Sequence, residues 1–105
     1  MGPGRARLVS LIDSTGSISA AAREMGMSYR RAWQLVDALN ASFSEPLVLT
    51  AVGGKSGGGA IVTDFGRRVV EDYHHMESKA SAAIAFDLGK YAAHLRKPAS
   101  KSKSR

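Results

Sequence analysis

Two groups of residues in this 105-residue chain are of types and spacings that can do chemistry. One is Ser28-Tyr29-Arg30-Arg31 followed by Gln34. An arginine fork matches O6 and N7 of guanine, and a glutamine amide matches N6 and N7 of adenine. On a helix, Arg30 and Gln34 stand one turn apart on the same face. The other group is AVGGKSGGGA, residues 51–60, in which five glycines surround Lys55 and Ser56. A glycine-rich loop with Lys-Ser at its centre suggests a phosphate cradle, for a nucleotide or for a nucleic-acid backbone.

The nucleotide reading fails on spacing. A P-loop needs G-x-x-x-x-G-K-[ST] between a strand and a helix. Five residues before Gly54 stands Leu49, and the loop leads into AIVT, which reads as a strand. What remains is the tip of a hairpin. Its glycines allow a tight turn, and Lys55 and Ser56 are poised for a DNA phosphate or the adjoining minor groove. A glycine-rich turn carrying a chance lysine is the plain alternative.

Other chemistry finds little support. His74 and His75 are adjacent, so on a helix they point about 100° apart and do not form the i, i+4 pair that shares a metal ion. His94 lies far along the chain. Glu71, Asp72 and Glu77 belong to the polar face of a long helix, and no nucleophile–base–orienter set is visible. The expectation is a protein that is not an enzyme and uses neither metal nor cofactor. There is no cysteine, which fits a cytoplasmic location. No apolar run is long enough to span a membrane.

Charge supports nucleic acid only locally. Fifteen basic against nine acidic residues leave +6, but Lys97, Lys101, Lys103 and Arg105 carry four of those charges in the last nine residues. Residues 1–96 hold eleven basic and nine acidic side chains. Local placement must therefore carry the case.

The elements that place these residues follow from periodicity. Residues 5–15 put Leu8, Leu11 and Ile12 at helical spacing before Gly16. Ser17 or Ser19 caps a short second helix that ends at Gly26. Ser28 caps a third, residues 29–43, with Ala32, Leu35, Val36 and Leu39 on its core side. Arg30 and Gln34 fall opposite that side, with Tyr29, Arg31 and Trp33 on the flanks. Arg31 suits phosphate, and Ser17, Ser19 and Ser28 set hydroxyls and helix-terminal amides where phosphates dock. The same side chains would also suit an ordinary solvated face, and Trp33 suits packing better than base contact. LVLTAV (47–52) and AIVT (60–63) read as two strands of a hairpin.

Thr63 caps a last helix of roughly 30 residues, about 45 Å long. Its apolar positions are Phe65, Val69, Tyr73, Met76, Ala80, Ile84 and Leu88, continued by Tyr91 and Leu95; Gly89 is a point where it can kink or end early. So small a domain cannot cover that stripe, so the expected partner is the same helix of a second copy. The sequence thus predicts a mainly α fold with a small β-hairpin. It is a winged helix-turn-helix over 1–63, then a dimerisation helix over 64–95 and a basic, disordered tail over 96–105.

The runs GSISAAAREMGMSYRRAWQLVDALN and LVLTAVGGKSGGGAIVTDFGRRVV resemble the N-terminal DNA-binding domain of ModE-type molybdate-responsive regulators and, more distantly, LysR-type regulators. The matching features are Gly16-Ser17-Ile18-Ser19, the pairs Ser28-Tyr29 and Ala32-Trp33, the GGKSGGGA wing, and Thr63 with Gly66. The resemblance spans about residues 5–75 and implies double-stranded DNA as partner and dimerisation through a flanking helix. Molybdate sensing in that family lies in C-terminal oxyanion-binding domains, where this chain has a basic tail. The expectation is a stand-alone DNA-binding half, the alternative a fragment of something longer. A second functional reading is an interaction protein that forms heterodimers with a full-length relative.

Overall fold

The computed structural model describes residues 1–51 and 59–96. Its elements run α1 (Pro3–Thr15), α2 (Ile18–Glu24), α3 (Tyr29–Ser42), β1 (Val48–Thr50), β2 (Ala60–Val62) and α4 (Asp64–Ala92). This is the expected winged helix-turn-helix: helices with one antiparallel hairpin. The chain divides into two compact units, Met1–His75 and a second that starts at Met76.

Each helix boundary has a local cause. Pro3 occupies the first position of α1, where a missing N–H costs nothing. Gly16 ends that helix at φ 70, and its N–H donates to the Ile12 carbonyl at 2.8 Å. The serine choice at α2 falls to Ser17, whose hydroxyl oxygen accepts from Ala20 N–H at 3.0 Å. Gly26, at φ 68, turns the chain from α2 into α3. Ser28 caps α3 by accepting from Arg31 N–H at 3.0 Å. Thr63 Oγ1 accepts from Gly66 N–H at 2.8 Å and so caps α4.

The first unit has one core. Leu8, Val9 and Ile12 of α1 meet Ala21 and Ala22 of α2 and Ala32, Val36 and Leu39 of α3, with Leu47, Val48, Ala60 and Val62 closing it from the hairpin. Leu35, expected at the core, is only partly buried at its edge. The first turns of α4 join in through Phe65, Val69, Val70 and Tyr73. Phe65 meets Phe43 edge-to-face, with ring centroids 6.5 Å apart.

The strands are shorter than their apolar runs. Leu47 is fully buried, and its backbone is bound by Asn40 on one side and Thr63 on the other. Val48 pairs with Val62, Leu49 with Ile61 and Thr50 with Ala60. Gly66 is needed for close approach: a Cβ there would run into the Leu47 carbonyl oxygen and stand 3.0 Å from its Cα. Arg67 grips both carboxylate oxygens of Asp13, at 3.0 and 3.1 Å, and so links α4 to α1. Hydrogen bonding to Asp13 and the charges of Asp13 and Asp64 hold the Arg67 guanidinium above its ordinary pKa.

The rest of α4, from Met76, belongs to the second unit. The helix runs through Gly89 to Ala92, and Leu95 lies beyond it. Met76, Ile84, Leu88 and Tyr91 are exposed, with Met76 at 61% and Leu88 at 51%. Phe86, which the stripe did not include, is 76% exposed on another face, and Lys90 Nζ stands 5.5 Å from its ring centroid.

Candidate nucleic-acid interface

Packing decides which face of α3 is free. With Ala32, Val36 and Leu39 in the core, Arg30 and Gln34 are exposed one turn apart. Tyr29 is 53% exposed and meets Trp33 edge-to-face at 6.3 Å. Trp33 is partly buried against the core, so it serves as packing and holds Tyr29 at the helix start. Arg31 is exposed on the flank.

The helix-turn-helix geometry comes from the α1–α2 and α2–α3 turns. Ser17 and Ser28 both spend an acceptor lone pair on their own helix, which leaves each O–H able to donate to a phosphate oxygen. Ser19 is exposed in the first turn of α2. Ser17, Ser19, Ser28, Tyr29, Arg30, Arg31 and Gln34 are thus carried by the two helices of the motif. Lys55 and Ser56 lie outside the described residues.

The base of the wing is tied to the motif at two points. Ala60 N–H donates to the Gly16 carbonyl at 3.0 Å, so β2 is held by the turn that precedes α2. Asn40, near the end of α3, binds Leu47 and Val48. Residue spacing did not single out Asn40. An asparagine inside a helix has no local signature of a tertiary anchor, and its partners are backbone groups seven and eight residues away. Among the described residues, no three His, Asp or Glu side chains are grouped to hold a metal ion. No helix there is long and apolar enough to cross a membrane.

A family model described as bacterial regulatory helix-turn-helix protein, lysR family, matches residues 5–67. The chain belongs to the LysR family of bacterial regulatory helix-turn-helix proteins. The matched span starts in α1 and ends in the first turn of α4, so it contains the motif, the wing and the Thr63 cap. Its similar curated proteins include molybdenum-pterin-binding proteins and ModE proteins. It is 47% identical over 85 residues to the molybdenum-pterin-binding protein MopB of Rhodobacter capsulatus, which covers 81% of this chain and 32% of MopB. It is 41% identical over 80 residues to the molybdenum transport protein ModE of Azotobacter vinelandii, covering 76% and 30%. The chain thus spans about a third of the length of the curated relatives it matches. The fold is that of the CbnR DNA-binding domain solved as a DNA complex: TM-score 0.65, 20% identity, 90% of this chain and 100% of that one.

Proposed function

We propose that the chain is a sequence-specific, DNA-binding transcription regulator of the ModE/LysR type that acts as a homodimer. The carrying observation is the exposure of Arg30 and Gln34 one turn apart on α3, in a helix-turn-helix matched by the family model. In this reading α3 enters the major groove, Arg30 and Gln34 meet base edges, and Tyr29 stands beside them at the start of the helix. Arg31 and the hydroxyls of Ser17, Ser19 and Ser28 meet phosphates, and Lys55 and Ser56 serve the wing tip. The functions proposed for these 105 residues are DNA binding and pairing, without catalysis and without a cofactor.

The homodimer rests on α4. Met76, Ala80, Ile84 and Leu88 recur at helical spacing and are exposed. Phe65, Val69 and Tyr73, on the same expected stripe, also serve the core of their own unit. Two-fold pairing places two α3 helices on one duplex.

Selection of bound sequences from random DNA, with and without molybdate, tests this. The expected result is a pseudo-palindromic consensus with half-sites spaced by whole helical turns and no effect of molybdate. A consensus without two-fold repeat counts against the homodimer, and enrichment of no sequence counts against base reading.

A further inference from the structure

We propose that Arg5 of α1 forms, with Arg31 of α3, a clamp for one strand of the DNA sugar–phosphate backbone beside the recognition helix. This rests on the DNA-binding reading above. Arg5 and Arg31 come from different helices and line one open groove of about 480 Å³. Its other walls include Gly2, Met25, Met27 and Leu35, and no carboxylate lines it. Arg67 pairs with Asp13 and Asp64, and among the described residues neither Arg5 nor Arg31 enters an ion pair. Two unpaired guanidiniums on one groove repel each other, and an anion between them removes that cost.

Helix dimensions say which anion. An α-helix with its side chains is about 10–12 Å across, and the major groove is about 12 Å wide. A helix seated there has a phosphate strand along each flank. Arg30 and Gln34 point from the middle of the free face of α3, and Arg31 marks one flank. The groove continues that flank toward α1, so Arg5 stands where the strand beyond Arg31 would pass. The guanidiniums bind phosphate oxygens bidentately, and Met25, Met27 and Leu35 offer an apolar floor for deoxyribose. The small Gly2 and Gly4 leave this mouth open.

The test is fluorescence anisotropy of the full chain on a 40-base-pair random duplex, about four helical turns, over a salt series, with Arg5→Ala, Arg5→Lys and Arg31→Ala. One lost phosphate contact lowers the log–log salt slope by about 0.9 and weakens binding about eightfold near ~0.1 M salt. Arg5→Ala is expected to show both effects and Arg5→Lys to recover part of the affinity. Circular dichroism of each variant should match the parent, since Arg5 is exposed. Unchanged affinity and slope in Arg5→Ala, with loss in Arg31→Ala, overturns the clamp but leaves DNA binding standing; the groove is then open to an acidic peptide. Loss in Arg5→Ala with an unchanged slope overturns it too. Failure of the unmodified chain to bind any duplex overturns both readings.

Discussion

Asn40 holds Leu47. From near the end of α3 its Oδ1 accepts the N–H of Leu47 at 2.8 Å and that of Val48 at 3.2 Å, while Nδ2 donates to the Val48 carbonyl at 2.9 Å. One side chain thus replaces strand neighbours for a fully buried Leu47 and ties the wing to the helix proposed to read DNA. In Asn40→Ala these backbone groups lose their partner in a site that water enters poorly, at a cost of about 1–3 kcal/mol. Urea unfolding at fixed protein concentration checks this. Asn40→Asp is not expected to restore stability, because it sets an anionic oxygen against the Val48 carbonyl. Full stability in Asn40→Ala would show that water satisfies these groups.

Gly66 and Gly89 should respond oppositely to alanine. Both lie in α4, where alanine is preferred by about 1 kcal/mol. A Cβ at Gly89 meets nothing within 4 Å, so Gly89→Ala is expected to stabilise by up to that amount. At Gly66 the Cβ would overlap the Leu47 carbonyl, and overpacking costs about 1–3 kcal/mol or more. Thermal melts of the two variants should move in opposite directions.

Arg30 and Lys55 should separate specificity from general attraction. Arg30→Ala is expected to lose about 1–3 kcal/mol of discrimination, concentrated at one base position. Lys55→Ala should weaken all sequences alike and lower the salt slope by about 0.9. Titration on selected and random duplexes compares the two. Equal losses on both for Arg30→Ala would remove its role as a base reader.

Ile84→Glu and Leu88→Glu should separate the proposed dimer without unfolding the motif. Both side chains are exposed in the single chain, 46% and 51%, so neither supports the core of the first unit. Sedimentation equilibrium is expected to show a dimer for the parent and a monomer for the double variant, with unchanged helicity per residue. A monomeric parent would defeat the homodimer. Strong preference for a co-expressed full-length relative would favour heterodimer formation instead.

Much of the fold was legible because its signals are local. The glycines at 16 and 26 stop helices by taking positive φ, Ser28 and Thr63 cap them, and Ala32, Val36 and Leu39 recur at the helical period and fill the core. The face opposite that core set follows from the helical angle alone, and Arg30 and Gln34 lie on it. The competing phosphate-loop reading fails on sequence grounds, because position 49 is leucine and a strand follows the loop.

Other features needed the tertiary structure, because they depend on which segments meet. Sequence periodicity made Phe65, Val69 and Tyr73 look like the start of a stripe for a second copy. Packing gives them a place against their own core, because Gly66 lets α4 lie against Leu47. The strand begins one residue after Leu47, whose backbone groups are taken by Asn40 and Thr63. Arg5 and Arg31 are 26 residues apart in the chain, and only the packing of α1 and α3 on α2 brings them to one groove. Spacing along one helix is fixed by the backbone; proximity between helices is fixed by what their buried faces exclude.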